Sequence, residues 1–173
     1  MVCNQRTVAI RSWLIMTPTL GYEDDIEISK VELARIQLVE AIKLFIEGNS
    51  VCAITLAGAS ELILAGVLDG LGFKTVVEDS TEAIDAIRGI KSANGSVLDP
   101  MHGKSDKAIY NEWNEARNHL KHHNKNEFST IKLNLFDEAY WMIKRALVNA
   151  KKANVSIKNE QEFENWIIVN INL

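Results

Sequence analysis

The longest apolar run in the chain, Val51–Phe73, constrains the fold more than any other feature. It holds no proline and is long enough to form one continuous helix, and a membrane-spanning helix needs about 20 apolar residues. Glu61 stands at its centre and Asp69 near its end, and a carboxylate in hydrocarbon is costly. A helix apolar on nearly all sides is otherwise the central helix of a bundle. That is the expectation here, with no membrane partner. A buried Glu61 then needs a partner of its own. Thr55, Ser60 or a neighbouring helix could supply it, and pairing with Arg117 or His123 would fix a second helix against this one. The small residues Ala57, Gly58, Ala65 and Gly66 would let neighbours approach closely.

The flanking sequence supports further helices. Ser29 and Glu32 have capping-box spacing, Val31, Ala34, Ile36, Leu38, Ala41, Ile42 and Phe45 form an apolar stripe, and Gly48 supplies a stop. Ser50 would cap the next helix, and the tight Gly48-Asn49-Ser50 link makes the two antiparallel neighbours. Thr75–Val77 is β-branched but too short to read as a strand. Ser80-Thr81-Glu82 predicts a shorter helix ending at Gly89, and Lys91–Gly103, with Asn94-Gly95 and Asp99-Pro100, a loop. A third long helix is expected from Ser105 through Lys125. A fourth, capped by Asn134, runs to about Ala150, and a last one covers 159–170 with Phe163, Trp166 and Ile167 on one stripe. The expected fold is all-α, an up-and-down bundle of four main helices with extra short helices, over residues 23–173. Residues 1–22 read as a tail. Within it, Arg6 and Arg11 precede an apolar stretch, Ser12–Met16, too short for a signal peptide, and Met16 is an alternative start. With Cys3 and Cys52 as the only cysteines, a disulfide framework is not expected and a reducing cytoplasm is.

Charge is unevenly spread. Residues 23–90 hold 13 acidic against 5 basic side chains, and residues 101–158 hold 11 basic against 6 acidic. The second half could face a polyanion, although a solvated surface has the same composition.

Chemistry concentrates in Arg117-Asn118-His119-Leu120-Lys121-His122-His123. On a helical wheel of about 100° per residue, Ile109, Trp113, Ala116 and Leu120 define a core side, with His123 at its edge. Asn111, Asn114, Asn118, Lys121, His122 and Lys125 gather opposite, with Arg117 at their border. Three readings are open. The face could simply be solvated. His119 and His123, at i and i+4, could bind a metal with Glu115, although the Glu-x-x-His pairs of di-iron bundles are missing. Or the face could perform acid–base chemistry on RNA, which needs no cofactor. Histidine moves protons near neutral pH, and arginine holds a permanent charge for a phosphorane-like transition state. Arg117 and His122 diverge by about 140° on one helix, so a complete site would need two copies of it.

Arg117-Asn118 followed by His122 resembles the signature of the HEPN superfamily, helical bundles in which an Arg and a polar residue precede a His. Both His122 and His123 fit the spacing. The segment 134–151, with Glu138-Ala139 and Arg145-Ala146, also looks like the helix that follows the motif there. The resemblance covers about residues 29–152 as architecture. It implies a metal-independent endoribonuclease working across a homodimer, as in toxin–antitoxin systems with an antitoxin-type protein partner. Arg117 would be the transition-state electrophile, His122 the general acid/base and Asn118 the orienting group, with His119, Lys121, His123 and Glu61 as supporting or alternative residues. It equally implies members without activity that bind nucleotide, RNA or a partner protein.

Overall fold

The computed structural model describes residues 25–122 and 130–171, so the predicted tail and His123 lie outside the described residues. The described chain is all-helical, with seven helices: α1 (Lys30–Ile46), α2 (Ser50–Gly70), α3 (Val76–Ile87), α4 (Asp106–Trp113), α5 (Glu115–Lys121), α6 (Leu135–Lys152) and α7 (Glu160–Asn170). No strand forms among the described residues; an isolated bridge between Lys91 and Val97 closes the predicted loop after α3.

The caps follow local chemistry, with three departures from expectation. Ser29 accepts from the Glu32 N–H at 3.1 Å, but the Glu32 carboxylate turns to Arg35 instead of returning to the cap, so only half of the predicted box forms. Gly48 takes φ +83° and ends α1. Asn49, not Ser50, then caps α2, its side-chain oxygen accepting from the Cys52 N–H. Helix α3 begins at Val76, four residues earlier than the predicted Ser80, because Thr75 and Glu78 form a complete capping box. Its first turn tolerates β-branched Val76 and Val77, and Asn149 of α6 accepts the otherwise orphaned Val76 N–H at 2.9 Å.

Helix α2 lies against α1, α5 and α6. It is long and apolar enough to cross a membrane by composition alone, yet eight of its residues, Glu61 and Ser60 among them, are buried in the fold. Its last side is uncovered, with Val51 and Leu62 about two-fifths exposed, so it is less enclosed than an all-round apolar pattern implies. Cys52 is on that exposed part. The core joins Leu38, Ile42, Ile54, Leu64, Met142 and Ile143 to Phe163 of α7. Phe45 forms the hub of an aromatic cluster, its ring 5.1–5.4 Å from those of Phe136, Phe163 and Trp166. Ser60 donates to the Ala34 carbonyl at 2.8 Å, so its hydroxyl serves the α1–α2 contact and not Glu61.

The predicted third long helix is two helices. The chain leaves helical geometry at Asn114, with φ −110° and ψ 3°, and restarts at Glu115. No proline or glycine causes this. The Asn114 side chain donates to the Tyr110 carbonyl at 2.8 Å, taking over the bond a backbone N–H would make. Arg145 of α6 donates to the Trp113 carbonyl at 2.7 Å and to Asn114 Oδ1 at 3.2 Å. The carbonyls freed by the break thus find charged or amide donors.

Candidate functional site

The break at Asn114 re-aims everything after it. Asn114, expected on the outer polar face, is buried, and Arg117, expected at that face's border, is only 5% exposed. Arg117 Nη1 donates to Glu61 Oε2 at 3.1 Å, so the carboxylate in the centre of α2 has its partner on α5. Gly58 makes the approach possible. A Cβ on Gly58 would lie 2.6 Å from Arg117 Cδ and 2.9 Å from Cγ, so the arginine stem crosses α2 where only glycine leaves room. Gly66, by contrast, faces open space.

Of the other described motif residues, Leu120 packs against the core and the polar ones lie toward solvent. Asn118 and Lys121 are exposed, and His119 is half-buried beside Glu115 at 3.6 Å. His122 is the C-cap of α5. Its N–H still bonds the Asn118 carbonyl at 3.1 Å, but its backbone is extended, φ −131° and ψ 143°. The wheel angle predicted for His122 therefore does not apply, because the residue has already left the helix. The second half of the His119–His123 pair lies outside the described residues. Among the described residues no group of three His, Cys, Asp or Glu side chains is placed to hold a metal.

Electrostatically, Arg117 and Glu61 belong to a larger group. Burial lowers the pKa of the Lys121 ammonium, the Arg117 charge lowers it further, and Glu61 opposes both. Burial likewise lowers Arg145, with Glu61 opposing and Arg117 adding to the shift. Three cations thus share the field of one buried carboxylate, and the exposed member, Lys121, carries the excess toward solvent.

Sequence reasoning named Arg117, Asn118, His122 and Glu61 but missed Asn114, Gly58 as the residue under Arg117, and Arg145. A signal for Arg145 exists. It follows Glu138 and Met142 and precedes Asn149 at helical spacing along α6, so a guanidinium lies on a partly buried stripe and must find acceptors.

A groove of about 600 Å³ opens beside this cluster, where α3 and α4 meet α6. Val76, Trp113, Trp141 and Val148 supply its apolar lining, and Ser80, Glu112, Glu138, Lys144 and Arg145 its polar lining. Burial raises the Glu138 carboxyl above its ordinary range, Arg145 opposes this, and Glu115 and Asp137 add to it.

Comparison with protein-family models, curated proteins and solved structures returns no match.

Proposed function

We propose that this chain is a HEPN-like, up-and-down helical module that binds nucleotide or RNA at the C-terminal end of α5, without cutting it. The burial of Arg117 against Glu61 carries this reading. An arginine that stabilises a phosphorane-like transition state must meet phosphate oxygens, whereas this guanidinium is held inside by a carboxylate. Its charge acts at a distance. With Lys121 and Arg145 it makes three cations around Glu61, with Glu138 offsetting Arg145, and the remaining positive charge favours a polyanion at the exposed Lys121. Exposed Cys52 fits a reducing cytoplasm.

The ribonuclease reading stands second. It is favoured by Asn118, Lys121 and His122, which are all solvent-facing at one end of α5. A second copy could complete such a site, with His122 as general acid/base, Asn118 orienting and Arg117 supplying charge from beneath. An antitoxin-type partner would then cover the same end.

One experiment separates the two. Single-stranded RNA is incubated with the protein in EDTA, and both binding and cleavage are followed. Binding without cleavage, weakened by Lys121→Ala and falling steeply with salt, is the expected result. Metal-free cleavage abolished by His122→Ala, in a protein that sediments as a dimer, moves the assignment to the ribonuclease. No binding and no cleavage overturns both.

A further inference from the structure

Two polar groups of the groove lining have no partner among the described residues, the buried Nε of Arg145 and the Glu138 carboxylate. Among the charged and hydroxyl side chains that line it, Ser80 donates to the Val76 carbonyl at 2.7 Å, and Glu112 is paired with Lys104. Lys144 is held by Glu164 of α7 at 2.8 Å. Arg145 is committed to Trp113 and Asn114. Glu138 alone has no hydrogen-bond or ion-pair partner among the described residues, although it is half-buried beside two indole rings.

A half-buried carboxylate in an apolar setting lacks the compensation that burial demands. The groove itself is within the size range of small-molecule sites, which combine apolar and aromatic walls with few polar groups. Trp141 is 61% exposed at its mouth, a costly place for an indole unless something covers it. Indole faces attract cations, and Glu138 is the lining carboxylate with no ion-pair partner among the described residues, with Arg145, held by neutral acceptors, acting on it only at a distance. The missing component is therefore positive and carries an apolar body.

We propose that the groove between α3, α4 and α6 binds a small organic cation with an aromatic or alkyl body, an amidinium or ammonium. Its charge sits on Glu138 and its body between Trp113 and Trp141. This site is separate from the polyanion-binding end of α5 and does not depend on the reading given above. Lys144 does not bar a cation, because Glu164 pairs with it at 2.8 Å.

Benzamidinium serves as the probe, titrated into the ¹⁵N-labelled full chain at neutral pH while the indole N–H signals are followed. The chain holds four tryptophans, so each signal is assignable by single Trp→Phe variants. The expected result is a saturable shift of the Trp113 and Trp141 indoles with Trp166 unmoved. Glu138→Gln, isosteric and at a groove wall, should weaken binding by about tenfold or more. Trp141→Ala, a change at an exposed position, should weaken it as well. No saturable shift up to ~10 mM probe overturns the proposal. Equal binding of benzoate or of neutral benzamide overturns it too, as does a Glu138→Gln protein with unchanged far-UV circular dichroism and unchanged affinity.

Discussion

Two parts of the molecule handle charge in opposite ways. Where α5 crosses α2, Arg117 and Glu61 are both removed from water, and each side chain is about 6% exposed. Where α3 and α4 lean on α6, charged groups ring an open groove and one carboxylate is left over. The first arrangement is closed by a glycine that lets the arginine stem lie on the α2 backbone. The second stays open, with Trp113 half-buried and Trp141 exposed at its mouth. The break at Asn114 touches both: Arg117 follows it into the buried pair, and Arg145, which binds the atoms at the break, also lines the groove.

The sealed pair gives the largest expected effect. Removing one member of a buried ion pair leaves an uncompensated charge, whereas replacing both with apolar groups of similar volume is often neutral or better. Arg117→Met is expected to destabilise by about 3–5 kcal/mol in urea unfolding, and Glu61→Leu by a similar amount. The double variant Glu61→Leu/Arg117→Met should recover most of the loss. If either single variant unfolds at the wild-type midpoint, the pair is not a sealed contact.

Gly58→Ala comes next. Its Cβ would meet Arg117 Cδ at 2.6 Å, and overpacking of this kind costs about 1–3 kcal/mol. The sharper test is its context. In an Arg117→Ala background the clash is gone, and alanine is the better helix former by about 1 kcal/mol, so the same substitution should turn neutral or stabilising. A double-mutant cycle reads this coupling directly. Additive behaviour would mean that the arginine stem does not rest on Gly58.

Sequence legibility follows the same division. Helices α1, α6 and α7 were readable from their apolar stripes and α2 from its unbroken apolar run, with Gly48 marking the end of α1 and Asn134 the start of α6. Arg117 was already among the partners named for Glu61, because burying a carboxylate on α2 narrows the choice to a few cations. The break at Asn114 was not readable. No proline or glycine marks it, its local contact is only the Asn114 amide on the Tyr110 carbonyl, and the other group that stabilises it, Arg145, lies 31 and 32 residues away from the atoms it binds. Every consequence of the break was missed for the same reason, from the inward aim of Arg117 to the departure of His122 from the helix. The start of α3 was a different failure. Thr75 and Glu78 had capping-box spacing in plain view, but Val76 and Val77 weighed against a helix, and the Asn149 contact that holds that turn is long-range. The groove was hidden because its indoles come from α4 and α6, which the sequence does not place side by side.

The smallest expected effect concerns Glu138 and is read from its pH dependence. Burial raises the carboxyl of the folded protein above its unfolded value, with Arg145 opposing and Glu115 and Asp137 adding to the shift. The titratable groups around it are Asp137, Lys144 and Arg145 on α6, Glu112 on α4 and Glu115 on α5; α3 contributes only Ser80 and Val76 to the lining. A raised carboxyl means that the folded state binds the proton more tightly than the unfolded one. Its stability contribution is therefore fully present below the ordinary carboxylate range and lost as pH rises through the raised folded value. Glu138→Gln removes that loss. The variant should match wild type at acidic pH and become the more stable of the two toward neutrality, by less than about 1 kcal/mol because solvent screens a half-exposed group. Urea midpoints at several pH values between about 4 and 7 give the slope. A variant that instead grows less stable toward neutral pH would show that the carboxylate already has a partner in the fold. The contrast between a sealed charge pair and an open, unmatched carboxylate would then disappear.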